Sequence, residues 1–221
     1  LRPFDAKLIG LMGRTYFEKS NYEKSELLLK RAVSIGEKSP NNLLYLAQSL
    51  QKQRQYDNAL HYFNELINMQ PSNHENWYSR GLLYSEIEEY EAAMSDFKKV
   101  LEFENAPLEN IFFYLAKTAL DLGNGEDALR YIDQGLAVAG KNEKVLLLIT
   151  KGSFYRDIGE YETAEVYYDD AYNLDTQNPL VLSHQAAVSI DLEKYEFAIE
   201  KCDAAIVLNP NQMEAYFNRG I

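Results

Sequence analysis

An all-α fold of helical hairpins stacked one on the next is predicted by three regularities in the sequence. Small residues recur at Gly13, Ala47, Gly81, Ala116, Gly152, Ala186 and Gly220, separated by 34, 34, 35, 36, 34 and 34 positions. A period of that length marks a repeat array in which each unit buries its open face against the next. Between these positions the apolar residues fall three and four apart in two runs, the spacing of a helix and not the alternation of a strand. Each unit therefore reads as helix, turn, helix.

The units follow in order. The first, about residues 6–39, has its small residue at Gly13, a turn at Ser20-Asn21, and a second helix opening at Tyr22 with Ser25 and Leu29 inside it. The second, 40–73, starts at Pro40, carries Ala47, Tyr56, Ala59 and Phe63, and closes at Pro71. The third, 74–108, carries Trp77, Gly81, Tyr84, Tyr90, Ala93 and Phe97. The fourth, 109–144, follows extra length at Ala106-Pro107-Leu108 and turns at Gly123-Asn124-Gly125 before Ala128 and Ile132. The fifth, 145–178, has Gly152, a turn at Gly159, then Tyr161, Ala164 and Tyr168. The sixth, 179–212, starts at Pro179 and carries Ala186, Tyr195, Ala198, Cys202 and Pro210. Residues 213–221 repeat the opening of a first helix, with Tyr216 and Gly220 in register. Glycine and proline at these places are ordinary helix punctuation.

Two offsets explain the pattern physically. An acid stands ten residues after each small residue, Glu23, Asp57, Glu91, Glu126, Glu162 and Glu196, where it meets the positive end of the second helix and its unpaired amides. Gly or Ala is required where two helices cross closely, and Tyr, Phe and Leu fill the space beside it. Residues 1–221 are expected to form a single array with one continuous core.

The third unit, with Trp77, Gly81, Tyr84, Ala93 and Phe97, resembles the tetratricopeptide repeat (TPR) pattern almost slot for slot, and Pro71 and Pro210 occupy its terminal proline position. The resemblance covers about residues 6–221. It is weakest in the fourth unit, where Ala119, Gly125, Ile132 and Gly135 depart from the usual residues. The resemblance implies a right-handed superhelical solenoid whose first helices line a concave groove for extended or helical segments of partners. With the small residues turned toward the partner helix, helical spacing leaves Tyr45, Gln48, Tyr78, Leu82, Phe113, Tyr114, Lys117, Ile149, Arg156 and His184 facing that groove. The Lys, Asn and Arg set with which one subclass grips a C-terminal carboxylate is not supplied: in one frame the positions hold Gly10, Arg14, Tyr45, Glu75 and Ser79, and in the next Leu44, Gln48, Ser79, Asn110 and Tyr114.

Composition narrows the function classes. A formal charge of −12 repels a phosphate backbone, and no basic patch offsets it, so nucleic acid is not an expected partner. Acids in excess of the helix starts suit the solubility of an elongated molecule, and a functional share among them would favour a basic partner. The longest apolar run, Val145 to Ile149, is far short of a membrane span of roughly 18 residues. A lone cysteine excludes an internal disulfide, and Cys202 stands in the slot of Phe63 and Phe97, which makes it a packing residue. His61, His74 and His184 have no ligand-like spacing, so no metal or cofactor is expected. Gly123-x-Gly125-x-x-Ala128 matches a dinucleotide fingerprint as text but joins two helices where that motif needs a strand before the helix.

The expected function is therefore a scaffold that binds another protein or a peptide, and not an enzyme. The alternative is a peptide-sensing regulatory domain that controls an output domain elsewhere in a longer chain. A fragment of a longer chain is expected on either reading, since residues 213–221 stop before any second helix and no unit with a polar outer face closes the array. Oligomeric state and compartment stay open.

Overall fold

The computed structural model describes residues 3–106 and 108–220. It divides into two compact units, Leu1–Ala106 and Pro107–Ile221. Pro107, the centre of the extra length expected before the fourth hairpin, lies outside the described residues, as do Leu1, Arg2 and Ile221.

The first unit contains α1 (Pro3–Glu18), α2 (Tyr22–Ser34), α3 (Pro40–Lys52), α4 (Tyr56–Met69), α5 (His74–Glu86) and α6 (Tyr90–Val100). The second contains α7 (Leu108–Asp121), α8 (Gly125–Val138), α9 (Lys141–Asp157), α10 (Tyr161–Leu174), α11 (Pro179–Asp191), α12 (Tyr195–Leu208) and α13 (Met213–Arg219). Within each unit, consecutive helices pair as hairpins and each second helix also packs on the first helix of the hairpin that follows. Helix starts agree with the sequence pattern to within a residue at most hairpins. The exceptions are α1, which begins at Pro3 ahead of residue 6, and α9, which begins at Lys141, ahead of Val145 where the apolar pattern starts. The opening turn of α9, Lys141-Asn142-Glu143-Lys144, is polar and at least partly exposed, so apolar spacing carries no mark of it.

Two kinds of start signal are used. Three first helices are capped by side chains: Ser39 Oγ accepts from Asn42 N, Asn73 Oδ1 from Glu75 N, and Asn178 Oδ1 from Leu180 N and Val181 N, with Pro40 and Pro179 in the first turn, whereas α9 and α13 have no side-chain cap. Such caps are worth about 1 kcal/mol each. Four of the second helices, α4, α6, α10 and α12, have no side-chain cap, and each instead carries its acid in the first turn.

All six turns inside hairpins share one geometry. The residue seven after the small residue has positive φ: Ser20, Arg54, Glu88, Gly123, Gly159 and Glu193. The amide that follows bonds back across the end of the first helix, as Asn21 N to Tyr16 O at 2.9 Å and Lys194 N to Ser189 O at 2.7 Å. This left-handed close satisfies carbonyls that would otherwise be unpaired. Glycine occupies it in only two of the six, so no single residue type announces the turn.

Packing follows the sequence slots. The residues sixteen after each small residue, Leu29, Phe63, Phe97, Ile132, Tyr168 and Cys202, are all at 0% exposure. A Cβ placed on Gly13 would lie 2.7 Å from Leu29 Cγ, on Gly81 2.7 Å from Phe97 Cε1, and on Gly152 2.6 Å from Tyr168 Cε1. The irregular fourth hairpin is packed by substitution of neighbours. Gly125 stands where the other hairpins have tyrosine, and the Phe154 ring from α9 fills the place, 2.6 Å from where a Cβ would be. Gly135 admits Leu147 and Phe112 in the same way.

Candidate functional site

The first helices carry the residues singled out from the sequence, and the two units differ in how they present them. In the first unit, Tyr45 is half-buried on α3, donates its hydroxyl to Glu18 Oε1 at 2.8 Å and meets Phe17 edge-on at 5.1 Å. Donation to Glu18, with burial second, raises the phenol above its ordinary pKa. Gln48, Tyr78 and Leu82 are also half-buried, and the Tyr78 ring tilts onto buried Phe97 at 6.1 Å. These rings are shared between the surface and the core.

In the second unit, Phe113 and Tyr114 meet edge-to-face at 5.2 Å on α7, half-buried, and Lys117 is exposed. Ile149 is not on a groove surface: it is buried in the core with Val145, Leu148, Ala164 and Tyr168. The cause is the unbroken run Val145-Leu146-Leu147-Leu148-Ile149, which gives no polar gap from which to tell the faces of α9 apart, with α7, α8, α10 and α11 all packed around that helix.

Arg156 and His184 do come together, in a cleft of about 440 Å³ lined only by first helices: Arg156 from α9, Leu180, Ser183, His184 and Ala187 from α11, and Met213, Glu214, Phe217 and Asn218 from α13. Its volume is in the range of ordinary ligand sites. Met213 and Phe217 are 79% and 71% exposed, which is far from the usual state of such side chains. The Arg156 guanidinium donates through Nε to the Asp191 carboxylate, and that bond raises its pKa against the opposing effect of burial. Ser183 Oγ donates to Pro179 O at 2.9 Å, and Asn218 Nδ2 donates to Ser183 O at 3.0 Å, which ties α13 to α11. Glu214 accepts from Gln212 Nε2 at 3.0 Å.

His184 stacks on Tyr168 with ring centroids 5.2 Å apart and planes 23° from parallel. Burial, and then the charge of Arg156, pushes the imidazole down to about 4, with Glu214 acting weakly the other way. Burial likewise pushes Tyr168 up to about 12. At neutral pH the stack is uncharged. The unfolded chain takes up the histidine proton near 6.5 while the folded chain refuses it until about 4, so protonation favours unfolding across that window. Stability is expected to fall as pH drops from about 6.5 to 4 by on the order of 3 kcal/mol more in the parent than in His184→Phe, measured by urea unfolding at half-unit pH steps. Parallel pH profiles for the two proteins would show that the imidazole is not held neutral by the fold.

Met213, Phe217 and Asn218 were not among the sequence candidates. The signal was there in the apolar pair Met213 and Phe217, four apart and therefore on one helical face.

A larger cleft, about 660 Å³, lies in the first unit between the loops at Met69–His74 and Glu102–Asn105. It is open and mostly polar, and among the described residues no group of three or more His, Cys, Asp or Glu could hold a metal ion. Cys202 is fully buried, and burial raises its thiol above the ordinary value, which suits packing and not attack on a substrate. No helix among the described residues is long and apolar enough to cross a membrane.

Comparison with known proteins agrees with the helical-repeat fold. A family model described as "Anaphase-promoting complex, cyclosome, subunit 3" matches residues 18–100 and 52–135, and one described as "Tetratricopeptide repeat" matches residues 147–178. The chain is similar to Anaphase-promoting complex subunit 3 of Schizosaccharomyces pombe, 22% identical over 96% of this chain and 37% of that protein. It is similar also to Stress-induced-phosphoprotein 1 of Caenorhabditis elegans, 26% identical over 98% of this chain and 56% of that protein. The chain thus spans only 37% and 56% of the lengths of these two relatives. Among solved structures, a tetratricopeptide repeat protein from Parabacteroides merdae superposes with a TM-score of 0.74 at 18% identity, over 99% of this chain and 84% of that one.

Proposed function

The chain belongs to the tetratricopeptide repeat family, a class of protein–protein interaction scaffolds, and from that premise we propose that it holds a polypeptide segment against the first-helix face of its hairpins. The observation that carries this reading is the cleft between α9, α11 and α13, lined by first helices alone and edged by the exposed side chains of Met213 and Phe217. Leu180 and Ala187 give it an apolar floor. In the same proposal, Tyr45, Gln48, Tyr78 and Leu82 offer contacts within the first unit, and Phe113, Tyr114 and Lys117 within the second. Ile149 is left out because it is core. No residue is given a catalytic role.

The cleft bears on the nature of the partner. Its one guanidinium is engaged by Asp191, whereas its one carboxylate, Glu214, accepts only from the neutral Gln212 amide and keeps its charge, in keeping with a basic partner. The full chain, immobilised and panned against a random phage-displayed peptide library, is expected to select peptides that compete with one another. Met213→Ala with Phe217→Ala should weaken those peptides by about 2 kcal/mol or more, as central apolar anchors do. The helical circular dichroism should be unchanged, because both side chains point largely into solvent. Unchanged affinity in the double variant would move the binding surface off this face.

A further inference from the structure

We infer that the cleft between α9, α11 and α13 takes a partner segment of mixed charge, one that brings a lysine or arginine side chain to Glu214 and an aspartate or glutamate side chain to Arg156; this rests on the scaffold reading above and adds its specificity. The argument is that two walls of the cleft carry open charges of opposite sign. On the α13 side, the Glu214 carboxylate accepts only from the neutral Gln212 amide and forms no ion pair among the described residues. On the α9 side, Arg156 gives Asp191 its Nε alone. A guanidinium has five N–H donors, so the end with Nη1 and Nη2, which makes no hydrogen bond among the described residues, is left for a second carboxylate. Both charges act on the His184 ring in opposite directions, Arg156 the more strongly, so the two lie within reach of one side chain of α11 and of one short occupant. A purely basic segment meets Arg156 as a like charge, and a purely acidic one meets Glu214 and Asp191. A wholly apolar one strips water from both open charges and pairs neither. Only a segment of mixed charge answers the two walls together.

The apolar residues of the cleft suit the same occupant. Glu214 and Phe217 stand three apart on α13 and are therefore neighbours on its surface. A lysine or arginine whose head reaches Glu214 can lay its stem along Met213 and its cation near the Phe217 ring, side chains that are 79% and 71% exposed. Leu180 and Ala187 leave room in about 440 Å³ for an apolar residue between the two charged ones. The chain's own charge of −12 draws the basic end in from a distance, while the acidic end is specified only at Arg156.

The test uses the full chain labelled with nitrogen-15 and four capped tripeptides: N-acetyl-Lys-Leu-Glu-amide and the versions in which lysine, glutamate or both become glutamine, each made in both sequence orders with the tighter order scored. Amide shifts of Leu180, Ala187 and Phe217 should saturate with the mixed-charge probe at a concentration about ten-fold lower than with either singly charged probe. In Glu214→Gln, a change at an exposed position, lysine should lose its advantage over glutamine while glutamate keeps its own. Raising sodium chloride from about 0.05 to about 1 M should remove most of the mixed probe's lead. A neutral or singly charged probe that saturates these amides at an equal or lower concentration overturns the inference while leaving the cleft a binding site. So does a lysine advantage that survives Glu214→Gln. If none of the probes moves these amides but library peptides still bind the chain, the inference falls and the scaffold reading stands. If the mixed probe leads as stated and no library peptide binds, the scaffold reading falls and the cleft's choice of charge is upheld.

Discussion

Gly81→Leu loses about 3 kcal/mol or more of folding stability, the upper end of what overpacking a core costs. The Cβ alone would lie 2.7 Å from Cε1 and 2.9 Å from Cδ1 of Phe97, inside contact distance with a ring at 0% exposure. That ring has little freedom to yield, since Tyr78 tilts against it from α5 itself. Even Gly81→Ala forces the ring to shift, and the three further carbons of leucine have no space on the α5 and α6 crossing. Glu88→Gln is the control: exposed, in the hairpin turn, and isosteric, it should stay within about 0.5 kcal/mol of the parent. Urea unfolding followed by circular dichroism reads all three. Coincident midpoints for Gly81→Leu and Glu88→Gln would mean that the crossing does not need a small residue.

Arg80→Ala is expected to cost about 3–5 kcal/mol, the range for removing one partner of a buried ion pair. Arg80 donates to both oxygens of Asp96, Nε to Oδ2 at 2.8 Å and Nη2 to Oδ1 at 2.7 Å, and Nη1 donates to Asn64 Oδ1 at 2.6 Å. Its guanidinium carbon also lies 5.1 Å from the Trp77 ring centroid and 5.5 Å from that of Tyr84. The bonds to Asp96 raise the pKa of Arg80 in spite of burial. The side chain of Asp96 is only 3% exposed, so without Arg80 its carboxylate is left in the interior with no counter-charge. Arg80→Lys keeps the charge and loses the two-pronged fit, and should fall between. The double variant Arg80→Met with Asp96→Leu should recover most of the loss, because the cost lies in the orphaned carboxylate and not in the absence of the pair. A double variant as unstable as Arg80→Ala would place the cost in packing on Trp77 and Tyr84 instead.

How much of this was legible in the sequence depended on what kind of residue carries each feature. The helix crossings were readable because steric exclusion leaves few choices: Gly13, Gly81 and Gly152 each face the side chain sixteen positions on, as their spacing implied. The acids of the second helices were readable for the same reason, a single physical demand met the same way each time. The shared left-handed turn was not, because Arg54, Glu88 and Glu193 adopt it as well as Gly123 and Gly159 do, under compulsion from the packing on either side. Ile149 was misplaced because a five-residue apolar run has no amphipathic signal. The cleft was half legible. Arg156 and His184, both named from the sequence, line it, but Phe217 and Met213, in a helix of 7 residues, were read as the opening of a further unit and not as lining.

The match between each small residue and the side chain sixteen positions later has a consequence for how such a chain can change over generations. Gly152 is matched with Tyr168 and Gly81 with Phe97, whereas Ala186 is matched with Cys202 and Ala116 with Ile132, all of them fully buried or nearly so. What is kept is the fit of the two members to each other and not their summed volume, since Ala47 stands with Phe63 where Gly81 stands with Phe97. The heritable module is then the hairpin, and both members must travel together. An exchange between copies that breaks in the loop after Leu174 transplants an intact pair. One that breaks at the turn near Gly159 would set Ala186 of α11 before a tyrosine suited to glycine, a clash inherited with no error in any single residue.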